Sequence, residues 1–183
     1  MGKNVLILTS SPRKNSNTTK MAQAFAKGAG AAGHEVFWFD AAKKKITGCN
    51  ACDACWSKGQ ACVQNDDFNE LAALMEKCDV LLIATPLYWL GFPAQVKGAV
   101  DKLYAYGGAG GLRPLAIKES YLFVCGADAD KKVYQPILKT YETSAEFLGW
   151  KNRGILQTGG IDAAGALERS GVLEQAEKLG KAI

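Results

Sequence analysis

Short apolar runs alternate with helical patterns along the whole chain. Val5 to Thr9 is an uninterrupted apolar run, closed by the polar, turn-forming stretch Ser10 to Asn17. Met21, Phe25 and Ala29 then recur at helical spacing, with Thr18 or Thr19 as the expected N-cap. Glu35 to Phe39 reads as a second strand. Asp67 and Glu70 have the spacing of a capping box ahead of a helix face made by Phe68, Leu71, Leu74, Met75 and Cys78. Val80 to Ala84 is a third buried strand, and Pro93 suits the first turn of a helix carrying Val96, Val100, Leu103 and Tyr104. Tyr121 to Cys125 is the fourth strand, followed by a helix with Tyr134, Ile137, Leu138, Tyr141 and Leu148. Gly154 to Gln157 is a short fifth strand, and Leu173, Ala176 and Leu179 belong to a last helix. Strands apolar on both faces, each followed by a helix, predict a parallel sheet covered on both sides. The expectation is one doubly wound α/β domain over residues 1–183, with a cysteine-rich loop at 48–65. Gly107-Gly108-Ala109-Gly110-Gly111 is its one flexible-looking connection.

Composition narrows the chemistry. The 183 residues are those of an ordinary globule, 48% hydrophobic and 22% charged. Lys and Arg number 22 against 18 Asp and Glu, an excess too small and scattered to predict a nucleic-acid or membrane partner. The most apolar segment, Val80 to Phe92, is broken by Pro86 and Gly91 and falls short of the ~20 residues of a membrane span. No signal-peptide pattern is present, and a soluble, cytoplasmic protein is expected. The single histidine, His34, excludes a mechanism built on a histidine cluster and is expected at the surface. Of six cysteines, four (Cys49, Cys52, Cys55 and Cys62) crowd into one window. In a reducing compartment that favours metal binding or redox work over a disulfide framework. Cys78 and Cys125 fall on apolar faces and are expected in the core.

One literal motif match fails on position. Gly28-Ala29-Gly30-Ala31-Ala32-Gly33 fits G-x-G-x-x-G, but a dinucleotide fingerprint needs its glycines between a strand and the helix it opens. Here they follow a helix and precede a strand, so they are expected to end that helix. No G-x-x-x-x-G-K-[ST] occurs, which leaves nucleoside-triphosphate hydrolysis without support.

Two loops carry candidate chemistry. Ser10 to Thr18 joins the first strand to the first helix and holds hydroxyls, amides, Arg13 and Lys14, with no carboxylate. Ligands of open parallel sheets bind beyond the carboxyl ends of the strands, where a helix N-terminus favours an anion. Hydroxyls of Ser10, Ser11, Ser16 and Thr18 and the guanidinium of Arg13 would suit a phosphate. The other reading is a polar turn with an ordinary cap. The loop after the third strand, Thr85 to Pro93, sets Tyr88 beside Trp89. They would either stack on a flat conjugated ring or pack under the loop as a local cluster.

Together these loops resemble a known family. Ser11-Pro12-Arg13 with Ser16-Asn17-Thr18, then Thr85-Pro86-Leu87-Tyr88-Trp89-Leu90-Gly91 and Pro93-Ala94-Gln95-Val96-Lys97, are similar to the flavodoxin-like NAD(P)H-dependent FMN reductase superfamily. The resemblance extends to Gly159-Gly160 and to the Leu173–Lys181 ending. It implies a three-layer fold with a five-stranded parallel sheet of order 2-1-3-4-5, and FMN as cofactor. The phosphate would lie on Ser10, Ser11, Arg13, Ser16, Asn17 and Thr18. The isoalloxazine would lie against Pro86, Leu87, Tyr88, Trp89 and Leu90, near Gly126 and Ala127. No side chain is then required as acid or base. Relatives are commonly homodimers or homotetramers.

The cysteine window admits more than one occupant. Cys-x2-Cys-x2-Cys lets a short loop wrap a cubane, whereas tetrahedral zinc more often uses two separated Cys-x2-Cys pairs. Reduced thiols or a disulfide pair are the remaining readings. The window resembles that of the iron–sulfur flavoprotein branch, in which Cys49, Cys52, Cys55 and Cys62 would hold a 4Fe–4S cluster; Asp66-Asp67 also matches relatives. The leading expectation is an FMN-dependent oxidoreductase or electron-transfer flavoprotein, the cluster passing electrons between a ferredoxin-like donor and the flavin. The alternative is a cluster-free NAD(P)H-dependent reductase of FMN, a quinone or a similar small molecule. A non-catalytic zinc-bearing module that docks a protein is a third reading.

Overall fold

A computed structural model describes residues 2–107, 113–161 and 165–183. Gly108 to Gly111 of the glycine-rich connection lie outside the described residues. The strands are β1 (Asn4–Thr9), β2 (Glu35–Asp40), β3 (Val80–Pro86), β4 (Glu119–Cys125) and β5 (Lys151–Thr158). The helices are α1 (Asn17–Ala31), α2 (Phe68–Lys77), α3 (Ala94–Asp101), α4 (Gln135–Phe147), α5 (Ala166–Arg169) and α6 (Val172–Lys181). The strands form one parallel sheet in the order β2-β1-β3-β4-β5. This is the expected doubly wound, flavodoxin-like order. β4 and β5 are longer than their apolar cores because charged residues at their first positions still pair, Glu119 with Lys151.

Side chains alternate between the two faces of the sheet. Val5, Ile7, Val80, Leu82, Tyr121 and Phe123 meet Met21 and Phe25 of α1 and Val172 and Ala176 of α6. Leu6, Leu8, Leu81, Ile83 and Leu122 meet α2, α3 and α4 through Phe68, Leu71, Val96 and Tyr141. Phe25 packs edge-on against both Tyr121 (4.9 Å between centroids) and Phe123 (5.5 Å). Among the described residues no helix is long and apolar enough to cross a membrane.

The rejected glycine motif does end α1. His34 N–H donates to Ala29 O (3.1 Å) and Gly33 N–H to Gly30 O (3.0 Å), a Schellman closure that places Gly33 at φ +86°. His34 is half-buried at the end of the sheet opposite the strand C-termini, its Nδ1 accepting the Lys3 N–H. Gly28 serves packing instead. A Cβ there would sit 2.1 Å from Glu177 O on α6, and one on Gly180 would sit 2.1 Å from Phe25 O. The two helices touch backbone to backbone. Gly28→Ala or Gly180→Ala is therefore expected to force α1 and α6 apart and cost roughly 2 kcal/mol, read as a lowered urea midpoint at unchanged slope.

Two caps differ from expectation. Ser16, not Thr18 or Thr19, caps α1, its Oγ accepting the Thr19 N–H at 3.1 Å. Asp67 occupies the N-cap position of α2 without capping it. Its carboxylate accepts the Lys45 N–H, and Glu70 pairs with Lys44. Asp66 instead accepts the Phe68 N–H (3.0 Å), because the incoming loop turns its carboxylate, one residue earlier, onto the helix end.

Candidate functional site

β1 is paired with both β2 and β3, so the chain leaves it toward opposite sides of the sheet and a crevice opens beyond its carboxyl end. A cleft of about 340 Å3 lies there. One wall comes from the β1–α1 loop: Ser11, Arg13, Lys14, Asn15, Ser16, Asn17 and Thr18. Opposite are Pro86, Leu87 and Tyr88 after β3, Cys125, Gly126 and Ala127 at the end of β4, and Ile161 after β5. Backbone bonds stitch these loops to the sheet: Leu87 N–H to Cys125 O (2.8 Å), Gly126 N–H to Thr158 O (3.1 Å) and Gly160 N–H to Ala127 O (3.1 Å).

The electrostatics of the cleft are one-sided. Among the described residues no carboxylate lines it, and the first turn of α1 carries no acid. Ser16 satisfies Thr19, while the N–H groups of Asn17 and Thr18 have no protein acceptor among the described residues. Arg13 and Lys14 are exposed and form no ion pair among the described residues. Two free amides, a helix dipole and two unpaired cations converge on one end of the cleft, which suits a phosphate-bearing anion. The opposite wall carries Pro86, Leu87 and Tyr88.

Not every predicted residue reaches the cleft. Ser10 is fully buried beneath it, its hydroxyl donating to Thr85 Oγ1 at 2.8 Å. Trp89 and Leu90 face away. Tyr88 and Gly91 exchange backbone hydrogen bonds (3.2 and 3.0 Å) around them, and both central residues are left-handed, φ +43° and +66°. This is the geometry of a type I′ turn, and it throws Trp89 out to 98% exposure. Tyr88 alone of the aromatic pair lines the cleft. Sequence reasoning did not single out Lys14, Asn15, Cys125 or Ile161 as lining residues. Lys14 and Asn15 were legible as part of the polar loop. Cys125 is buried as expected, but at the cleft floor. Ile161 gave no local signal, being brought there by the end of β5.

The four cysteines of the window also come together. Cys49, Cys52, Cys55 and Cys62 line one hollow with Lys102 and Tyr104. The loop that carries three of them is strained, with Ala51 at φ +51° and Asp53 at φ +54°. Left-handed backbone costs a non-glycine residue about 1 kcal/mol or more, and such strain gathers at functional sites. It aims the Ala51 N–H at Cys49 Sγ (3.4 Å). Trp56 stacks on Tyr104, whose hydroxyl donates to Asp53 Oδ1 (3.0 Å). The Cys55 thiol is raised above its ordinary value, by burial first and then by Cys49, Cys52 and Asp53, its backbone hydrogen bond opposing. Cys78, outside the window, is pushed up to about 11, chiefly by burial, and is a core residue.

The loop is tied at its neck. Asp66 accepts from the Thr47 N–H (2.9 Å), the Thr47 hydroxyl (2.7 Å) and Lys102 Nζ (2.5 Å), besides the Phe68 N–H. Gln64 Nε2 donates to Gly48 O (3.0 Å). Cys62 is clamped to α2 by a reciprocal pair with the Asn69 amide (2.9 and 2.8 Å).

Among the described residues no three His, Cys, Asp or Glu side chains converge as they would on a single ion. The hollow has a volume of about 20 Å3, and of its four cysteines Cys49 and Cys52 are exposed and Cys62 is buried. Four thiols around one hollow, with a backbone N–H directed at sulfur, nevertheless form a donor set whose chemistry fits a thiolate-ligated cluster.

Residues 3–182 match the Flavodoxin_2 family, described as having a flavodoxin-like fold, and the chain belongs to that family. It is 41% identical over 97 residues to an iron-sulfur flavoprotein of Archaeoglobus fulgidus, covering 53% of this chain and 44% of that protein. It is 32% identical over 95 residues to an iron-sulfur flavoprotein of Methanosarcina thermophila, covering 52% and 49%. The chain thus spans about half the length of the curated relatives it matches. Its fold superposes on an NAD(P)H:quinone oxidoreductase of Methanothermobacter marburgensis with a TM-score of 0.76 at 20% identity, covering 99% and 96% of the two chains.

Proposed function

We propose that this member of the flavodoxin-like family is an FMN-dependent oxidoreductase whose cysteine loop holds a 4Fe–4S cluster. The observation that carries the flavin reading is the cleft itself, with Arg13, Lys14 and the first amides of α1 on one wall and Pro86, Leu87, Tyr88, Gly126 and Ala127 on the other. Arg13 and Lys14 would balance the phosphate charge, and the Asn17 and Thr18 N–H groups with the Ser11 hydroxyl would bind its oxygens. Ser16 contributes by fixing the start of α1, which keeps those amides turned toward the cleft. Pro86, Leu87 and Tyr88 would form one wall for a planar ring, with the backbone of Gly126 and Ala127 along its edge. Bound FMN would supply hydride and single-electron transfer.

Cys49, Cys52, Cys55 and Cys62 would be the four ligands of the cluster, and two relatives named as iron-sulfur flavoproteins favour that over zinc or free thiols. The electron donor would be NAD(P)H or a ferredoxin-like protein, and the acceptor a quinone or similar small molecule. We place the protein among homodimers or homotetramers of the cytoplasm.

The test is an anaerobic purification followed by titration. FMN is expected to bind at least tenfold more tightly than riboflavin, which has no phosphate, by quenching of flavin fluorescence. Iron and acid-labile sulfide are expected at four per chain. Equal affinity for the two flavins would remove the phosphate assignment; flavin bands without iron or sulfide would remove the cluster.

A further inference from the structure

The wall of the cleft that carries Gly126 and Ala127 is held from behind by one buried hydroxyl. Tyr134 ends a short helical turn at the start of α4 and is fully buried. Its ring packs with Val124 and Ile137, and Leu87, which lines the cleft, packs against that cluster. A phenol has one proton to donate, and that of Tyr134 lies between two carbonyls, Asp128 O at 3.0 Å and Thr158 O at 3.4 Å. Three consecutive residues leaving β4 are thereby tied down. The Gly126 N–H bonds to Thr158 O, Ala127 O accepts from the Gly160 N–H, and Asp128 O accepts from Tyr134. The first two ties are made by backbone alone; the third depends on a side chain. Among the described residues the Ala127 N–H has no acceptor, which leaves it for a ligand.

Two glycines border the same hydroxyl. Neither Gly126 nor Gly159 has left-handed backbone, so turn geometry does not require glycine at either position. Space does. A Cβ on Gly126 would sit 2.7 Å from Tyr134 Oη and 3.2 Å from Leu87 Cβ. One on Gly159 would sit 2.7 Å from the same Oη and 2.1 Å from Asp128 O. The hydroxyl is wedged between the ends of β4 and β5 with no room for a methyl group on either side. Packing this close transmits a small displacement instead of absorbing it.

We infer that Tyr134 is a positioning residue for the cleft: its hydroxyl fixes Gly126, Ala127 and Asp128 against the end of β5, and so sets where a planar heterocycle bound against that wall comes to rest. The inference rests on the flavin reading above. Tyr134 itself does not line the cleft, and the residues suited to the phosphate stand on the β1–α1 loop.

Tyr134→Phe keeps the ring and its packing and removes only the hydroxyl. It is expected to weaken FMN and riboflavin about tenfold each, whereas a residue acting on the phosphate would affect FMN alone. At saturating FMN the visible circular dichroism of the bound flavin should change, because its ring rests against a displaced wall. The phosphorus NMR shift of the bound phosphate should stay at the parent value. Gly126→Ala presses on the hydroxyl from the other side and should weaken both flavins as well, but by a smaller factor in the Tyr134→Phe background, where the opposing atom is gone. Urea unfolding verifies that each variant is folded.

Unchanged affinity in Tyr134→Phe, a loss confined to FMN, or a loss with unchanged visible circular dichroism would make the hydroxyl an ordinary structural bond and overturn the inference. Equal losses from Gly126→Ala in the two backgrounds would overturn it too. Failure of the parent protein to bind either flavin would instead remove the flavin reading and this inference with it.

Discussion

Arg13→Ala is expected to weaken FMN binding about thirtyfold while changing riboflavin binding by no more than about twofold. A charge-assisted hydrogen bond to phosphate is worth about 2 kcal/mol, and 1.4 kcal/mol is a factor of ten in affinity. Arg13 suits the experiment because it is exposed and makes no ion pair among the described residues, so its removal costs the fold little. Ser16→Ala would be a poorer probe. It takes away the cap of α1 as well as a hydroxyl beside the cleft, at about 1 kcal/mol of stability, and would weaken both ligands through the misplaced helix start. The Arg13 effect should also shrink as salt is raised, because an open cleft is screened. Fluorescence titrations of both flavins at two ionic strengths check all of this together. Equal losses for FMN and riboflavin would make Arg13 a structural loop residue.

What the sequence disclosed and what it hid divide along physical lines. A central parallel strand is apolar on both faces, so Val5–Leu8 and Val80–Ala84 announce themselves as runs, and their alternation with helices fixes the layers. The glycine motif was placed correctly by its order relative to strand and helix. Side-chain direction was less accessible. Tyr88 and Trp89 are adjacent and chemically alike, yet a left-handed turn at Trp89 and Leu90 sends one to the cleft and the other to solvent. Nothing in a Trp-Leu pair predicts that turn, which ordinarily uses Asn-Gly. Ser10 looks like its neighbour Ser11 but is the last residue under the sheet, where its hydroxyl is taken by Thr85. Lys102 was invisible for a different reason. A lysine in sequence is read as solvated, and its burial depends on Asp66, a partner supplied by a distant loop. Proximity of Asp66 and Asp67 disguised their separate tasks until the loop path was known.

Asp66→Ala is expected to cost the fold about 3–5 kcal/mol, since removing one partner of a buried pair leaves Lys102 uncompensated. It also frees the Thr47 and Phe68 donors, so the neck of the cysteine loop should open first. Amide exchange across residues 45–66 should quicken before that of β1, β3 and β4. Acid should do the same to the parent protein, with a sign that can be stated. Burial alone would raise the Asp66 carboxyl, but Lys102, the two bonds from Thr47 and the Phe68 N–H outweigh it and bring it from 3.8 down to about 2. The unfolded chain therefore takes up the proton first. Its contribution is complete above about pH 4 and disappears as pH falls through the folded value near 2. The gap between the two values is worth about 2.5 kcal/mol. Urea midpoints of parent and Asp66→Ala, taken from neutral pH down to about pH 2, should accordingly converge, because the variant has no carboxylate left to protonate at that position. A difference between them that stayed constant with pH would show that Asp66 does not supply the acid sensitivity of the loop.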